Sequence, residues 1–407
     1  MRIALFHHAD PAGHVPGGVD SFIRGLLKWA PRDLHYTLFG ATSDEVARPV
    51  GREAKLPFHN DNAKFIPLTT INSVSRRVVV PNTLRYVYEL SRYVTHGKLV
   101  NFDALDFHRI EPMWLFKRDR RPKNIVIHTD MAVIRGKQSD IMWRHAPWLY
   151  DSIERRLLPD AERVFIVNQS AAQRYRLIYP KMAAKISFLP TWVDTTIFSP
   201  CRSLDERIRL CSAFRAKLRL SLSSTRILVF VGRLDNQKDP LLLLDAFHET
   251  IRTMSDLHLV IIGDGVLRPI VERACLNSGL SGHVSLLGVM PPSDIADVLR
   301  ASDLFVLSSA YEGMPIAVLE ALATGLPVVS TNVGEVPLVV KDGVTGQISA
   351  DRTPKALSEA ICIVLGAIDR MTGKPCEQAV ESYHPEKVLS ILYDNHRAQA
   401  KLIAGTS

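Results

Sequence analysis

Short apolar runs recur along the chain, and most are followed by a longer segment whose apolar positions return every three or four residues. The short runs are rich in Val, Ile, Leu and Phe and read as strands; the longer segments read as helices. In the first half the strand pattern covers Arg2–His7, Leu34–Phe39, Ala104–Phe107, Asn124–His128 and Arg163–Val167, with helical spacing at Val19–Trp29, Leu84–Val94 and Ile141–Leu157. In the second half strands are predicted at Ile227–Val231, His258–Ile262, Val284–Leu286, Leu304–Leu307, Pro327–Ser330 and Gly346–Ile348. Helices at Pro240–Ile251, Val266–Asn277, Ser293–Leu299, Ile316–Ala323 and Pro354–Leu365 separate them. Alternation of this kind predicts βαβ units and parallel sheets, an α/β protein.

The period fails at Pro190–Leu204, a turn-rich stretch, and again at the SYHPE break before a last helix near Pro385–Ala404. The expected division is therefore 1–190, 191–382 and a terminal helix in 383–407 that crosses back to the first domain. Two Rossmann-like halves follow, facing each other across a central cleft. Ligands of open α/β sheets bind beyond the C-terminal ends of the strands, so the cleft is the expected site.

Composition adds bounds. The chain of 407 residues is 46% hydrophobic and 23% charged, an ordinary globular balance with room for two cores. No apolar stretch is long enough to span a bilayer. The N-terminal segment reads as a first buried strand rather than a signal peptide. Five cysteines with no CxxC spacing read as small apolar residues in a reducing compartment. The charge is uneven: residues 1–200 hold 29 Lys and Arg against 19 Asp and Glu, whereas the remainder is slightly acidic. The basic excess thickens at Ser73–Lys98 and at Lys117–Lys123. It admits nucleic acid, anionic lipid or phosphorylated acceptors as partners.

Candidate chemistry gathers at strand ends. Glu312 and Glu320 stand eight positions apart, the first on a Gly- and Pro-punctuated loop and the second about two turns into a helix. Unpaired N–H groups and the positive end of the helix dipole point the same way. The arrangement suits a ligand with a hydroxyl-rich end and a phosphate-rich end. Arg233 and Lys238 follow the glycine that ends another strand and suit a diphosphate. Gly263 lies in a GDG turn, and Leu287 and Gly288 follow a further strand. Gly17 and Gly18 precede the first helix, a cradle for phosphate or a plain turn. His128 ends a strand. There is no D-x-D, no zinc spacing and no P-loop.

Taken in order, VGRLDNQKDP, IIGDG, VSLLG and DLFVLSSAYEGMPIAVLEALATGLPVV resemble the retaining GT-B glycosyltransferases of group 1, or family 4. The resemblance covers nearly the whole second half; the first half matches more loosely, through Gly17–Gly18 and His128. It implies transfer of a hexose from a UDP- or GDP-sugar to a saccharide or lipid-linked saccharide acceptor, with retention and with no metal or other cofactor. Arg233 and Lys238 would hold the diphosphate, Glu320 the ribose, and Glu312 with Gly313 and Met314 the donor sugar. His128 would contact that sugar, Gly17 and Gly18 the phosphates, and Leu287 and Gly288 the base; Gly263 would let backbone approach the nucleotide. The first domain would bind the acceptor, at the inner face of a membrane or in the cytoplasm, and nucleic acid is not an expected partner. Three departures stand out: PTWVD at the junction, SYHPE before the last helix, and Pro315, which offers no N–H. A non-catalytic sugar-nucleotide or polyanion-binding protein and a sugar-nucleotide epimerase or hydrolase are the competing readings.

Overall fold

Alternate residues of each strand go to opposite faces of a sheet that is covered on both sides, which is why the strands read as continuous apolar runs. In the computed structural model, residues 1–13, 18–71, 82–97, 99–128, 146–220 and 225–405 are described. Two units form, Met1–Thr191 with Pro385–Ser407, and Trp192–His384.

The first unit has seven parallel strands: β1 (Arg2–Phe6), β2 (His35–Thr42), β3 (Ala63–Thr70), β4 (Ala104–Phe107), β5 (Lys123–Ile127), β6 (Arg163–Ile166) and β7 (Ile186–Phe188). Their order across the sheet is β3-β2-β1-β4-β5-β6-β7. The second has six: β8 (Arg226–Val231), β9 (Leu257–Ile262), β10 (Val284–Gly288), β11 (Leu304–Leu307), β12 (Val328–Ser330) and β13 (Gly346–Ile348), again all parallel. Their order is β10-β9-β8-β11-β12-β13. In each sheet the sequence of strands reverses once, between β1 and β4 and between β8 and β11. Those reversals are where open α/β sheets leave a crevice for ligands.

Along β8, Ile227 and Val229 pack into one core while Leu228 and Phe230 pack into another on the opposite face. Each such fully buried side chain contributes about 1.5–3 kcal/mol. The first unit places Phe6, Phe39, Phe107 and Phe116 in one cluster, with ring centroids 4.9–5.5 Å apart from Phe6. Phe116 is 2% exposed. It belongs to the core although it directly precedes the basic Lys117–Lys123 run. Arg121 and Lys123 of that run are also turned inward. Arg121 bonds Asp119 and the Leu99 carbonyl, and Lys123 bonds the Asp119 carbonyl. Lys117, Arg118 and Arg120 stay exposed.

Several elements escaped the pattern, among them the helix Gln169–Ile178, β3, β7 and the helix Leu204–Lys217. β3 contains Pro67, which would be misplaced in a central strand; here it occupies an edge strand next to a register shift between Gly40 and Ala41. β7 is only three residues long. The helix Leu204–Lys217 buries little beyond Phe214 and so has almost no apolar period. Its start was nevertheless written in the sequence: the Ser203 hydroxyl accepts from the Glu206 N–H at 3.2 Å, the S-x-x-E cap signature.

The helix Pro385–Gly405 packs on the first sheet. His396 Nε2 lies 2.8 Å from Asp106 Oδ2, and Gln399 and Asn395 donate to the Asn124 side-chain oxygen. Tyr393 donates to the Leu26 carbonyl at 2.9 Å.

Candidate active site

At the second sheet's reversal, two loops are tied together before any ligand is considered. Ser308, just past β11, donates to the carbonyls of Lys238 and Asp239, and the Ala310 N–H donates to the Gln237 carbonyl. The loop after β8 is itself folded by Asp235, whose carboxylate accepts the Lys238 N–H at 3.0 Å. Asp239 has a left-handed backbone, φ 45°, and caps the next helix by accepting from Leu242. These bonds leave little freedom for the side chains between them.

Glu312 is the centre of the result. Its Oε1 lies 2.6 Å from Lys238 Nζ and accepts from the Ser309 hydroxyl at 2.8 Å. Its Oε2 accepts from Gln237 at 3.3 Å. Gln237 in turn accepts from Arg233 at 3.2 Å, so one chain of bonds runs from Arg233 to Glu312. The Arg233 side chain remains 63% exposed, with Asp235 as its ion partner. An ammonium has three N–H donors. Lys238 gives one to Glu312, and among the described residues no other acceptor bonds its ammonium.

Glu320 stands in the helix Ile316–Ala323, two turns beyond. It is half-buried, and among the described residues no donor bonds its carboxylate. Burial pushes this carboxyl up to about 7, Lys238 opposes the shift, and Asp194 adds to it.

The glycines explain how backbone comes close. A Cβ at Gly263, where φ is +133°, would lie 1.9 Å from the Gly232 carbonyl oxygen. Gly263 N–H donates to Gly288, so the ends of β8, β9 and β10 are drawn together. Gly334, at φ +49°, would carry a Cβ 1.9 Å from the Gly313 oxygen, and the Glu335 N–H bonds that same oxygen. Gly313 itself faces open space. Met314 and Leu287 are half-buried against the core.

The first unit has its own cluster at the reversal between β1 and β4. His7 and His8 follow β1, His108 follows β4, and His128 follows β5. His108 Nδ1 and His128 Nε2 are 2.9 Å apart. Phe22, from the helix Gly18–Lys28, packs against both rings, at 5.2 Å from His128 and 5.8 Å from His108. Burial holds His7 and His108 well below the usual imidazole range, with neighbouring imidazoles adding to the effect. Burial likewise lowers His8 to about 4 and His128 to about 3. Gly18 opens the first helix; Gly17 lies outside the described residues. His7, His8 and His108 were not singled out in the sequence. An isolated histidine carries no period, and only the strand order brings the four rings together.

Comparison with known proteins now bears on the site. Residues 225–366 match the family model for glycosyl transferases group 1. A D-inositol 3-phosphate glycosyltransferase of Segniliparus rotundus is 29% identical over 222 residues, which is 54% of this chain and 47% of that protein. A UDP-Gal:alpha-D-GlcNAc-diphosphoundecaprenol alpha-1,3-galactosyltransferase of Escherichia coli is 33% identical over 165 residues, 40% of either chain. The chain spans about half the length of the curated relatives it matches. Among solved structures, sucrose-phosphate synthase from Thermosynechococcus elongatus superposes with a TM-score of 0.79 at 19% identity, covering 99% of both chains. The two parallel Rossmann-like sheets are thus of the GT-B type, and residues 225–366 are similar to the group 1 glycosyl transferases.

Proposed function

We propose that the protein is a retaining glycosyltransferase that moves a hexose from a UDP- or GDP-sugar to a saccharide or lipid-linked saccharide acceptor. The observation that carries this reading is the pair of differently prepared carboxylates at one sheet reversal. Glu312 is held by Lys238, Ser309 and Gln237, whereas Glu320 is half-buried with no donor among the described residues. A buried carboxylate without a donor is costly, and a vicinal diol such as ribose supplies two. Lys238 and Arg233 meet the diphosphate, the role a metal takes in other transferases. Leu287 and Gly288 flank the base, and the exposed backbone at Gly313 approaches the sugar beside Met314. The resemblance would assign His128 to that sugar and Gly17 and Gly18 to the phosphates. In the reaction the anomeric carbon–oxygen bond to the diphosphate breaks. The acceptor oxygen attacks on the same face, and its proton passes to the departing phosphate oxygen. Glu312 stabilises the positive charge that develops on the ring.

The test is Glu312→Gln. Transfer should fall by about a hundredfold or more while nucleotide binding persists, as for loss of a preorganised electrostatic group. Unchanged turnover would overturn the mechanism. Donor consumed at full rate without acceptor would instead mark an epimerase or hydrolase.

For the acceptor, the first unit offers an exposed face suited to an anionic bilayer. Lys117 Nζ and the Arg156 guanidinium both lie over the Trp114 ring, at 6.0 and 5.7 Å. Trp148 and Leu149 are exposed on the same helix as Arg156. Indoles with flanking cations suit the headgroup region. Among the described residues no helix is long and apolar enough to cross a membrane. Co-sedimentation with vesicles containing phosphatidylglycerol should exceed that with phosphatidylcholine alone and fall in Trp148→Ala/Arg156→Ala. Equal binding to both vesicles would refute the surface.

A further inference from the structure

We infer that His108 is a positioning residue that fixes the ring and the tautomer of His128; its consequence for transfer rests on the proposed role of His128. The geometry is that of a hydrogen bond in the plane of both rings. The ring planes differ by 23°, and the centroids are 5.1 Å apart. That separation is what two ring radii plus the 2.9 Å between Nδ1 and Nε2 give when the nitrogens meet edge to edge.

A neutral imidazole carries one N–H and one bare nitrogen. Two arrangements satisfy the contact. In one, His128 donates from Nε2, and His108 must keep its own proton on Nε2. Among the described residues that nitrogen is buried with no partner, on a residue 3% exposed. In the other, His108 donates from Nδ1 and leaves Nε2 as a bare acceptor. An orphaned buried N–H is rarer in proteins than an under-satisfied acceptor, so the second arrangement is the one this pocket selects. His128 then holds its proton on Nδ1 and can donate it to a ligand hydroxyl. Phe22 walls both rings and limits their rotation.

Imidazole tautomers of the full chain are read directly by long-range proton–nitrogen correlation spectra of 15N-histidine-labelled protein at neutral pH. His128 should show a protonated Nδ1 and a bare Nε2. His108→Asn places an amide N–H near the original Nδ1 and should keep that pattern. His108→Leu should let the Nε2 proton appear. With a UDP-sugar donor, His108→Leu should lower kcat by about tenfold with donor KM nearly unchanged, and His108→Asn should restore most of it. A wild-type His128 protonated on Nε2 would overturn the inference, even if the leucine variant does not fold. An unaltered tautomer in His108→Leu would overturn it as well. The expected tautomers in a protein that transfers no sugar would leave the positioning intact and count against the transferase reading.

Discussion

Single side chains at the two reversals make opposite demands on pH. Glu320 titrates near 7 in the folded protein, above its ordinary value of 4.5. The folded state therefore holds this proton more tightly. Its favourable contribution is complete below about pH 4.5 and is lost as pH rises through about 7. Glu320→Gln should match the parent protein in melting temperature at pH 5 and exceed it at pH 8; equal melting at both would show the carboxyl to be unperturbed. His8 and His128 act the other way, since burial lowers them to about 4 and about 3 from 6.5. Their contribution is full above about pH 6.5 and drains as pH falls. Limited proteolysis from pH 8 to pH 5 should thus open the first unit first. The Lys238–Glu312 pair, 14% and 8% exposed, is a third case. Lys238→Met should cost about 1–3 kcal/mol, because it removes the one cation bonded to the buried Glu312 carboxylate among the described residues and leaves it only Ser309 and Gln237. A double-mutant cycle with Glu312→Gln in urea should return a coupling of at least about 0.5 kcal/mol; zero coupling would mean the pair contributes no stability.

At the scale of elements, legibility followed from what each segment buries. β1, β8 and β11 are covered on both faces, so their apolar runs marked them. The helix Ile316–Ala323 is nearly all apolar and buries five of its residues, so it was predicted to the residue. β3 is an edge strand whose run is broken by Pro67, although it buries Phe65 and Leu68, and the helix Leu204–Lys217 buries little beyond Phe214, so the pattern had little to report. Glu312, Glu320, Arg233 and Lys238 were legible because they share short segments with recognisable turns. The His7–His108–His128 grouping was not, because it depends on β1, β4 and β5 lying side by side although about a hundred residues separate the first from the others. Glycine positions allow a paired prediction. Gly334→Ala should destabilise by about 2 kcal/mol or more, since its Cβ would meet the Gly313 carbonyl. Gly313→Ala enters open space and should change stability by less than about 0.5 kcal/mol. Because the proposed approach of that backbone is to the sugar, it should weaken binding of a UDP-sugar in calorimetry more than binding of UDP.

For the whole molecule, the terminal helix decides how the first unit holds together. Asp106 accepts from Asn124 at 2.9 Å and meets His396 at 2.8 Å, all three buried. Among the described residues His396→Leu would leave the carboxylate with Asn124 alone and should cost about 1–3 kcal/mol. Mass-resolved proteolysis should then lose Met1–Thr191 while Trp192–His384 survives; simultaneous loss would mean the two units unfold as one. The same helix also sets an order of events during translation. Its residues leave the ribosome only after the whole of Trp192–His384 has been made, which at bacterial to eukaryotic elongation rates takes roughly 10–40 s. Through that interval the nascent first unit carries Asp106, Asn124 and the Leu26 carbonyl without their partners from that helix, and by its end the unit encoded later has all of its strands. The second unit is therefore able to finish folding before the first, and the exposed sheet face is the place where a chaperone would have to wait.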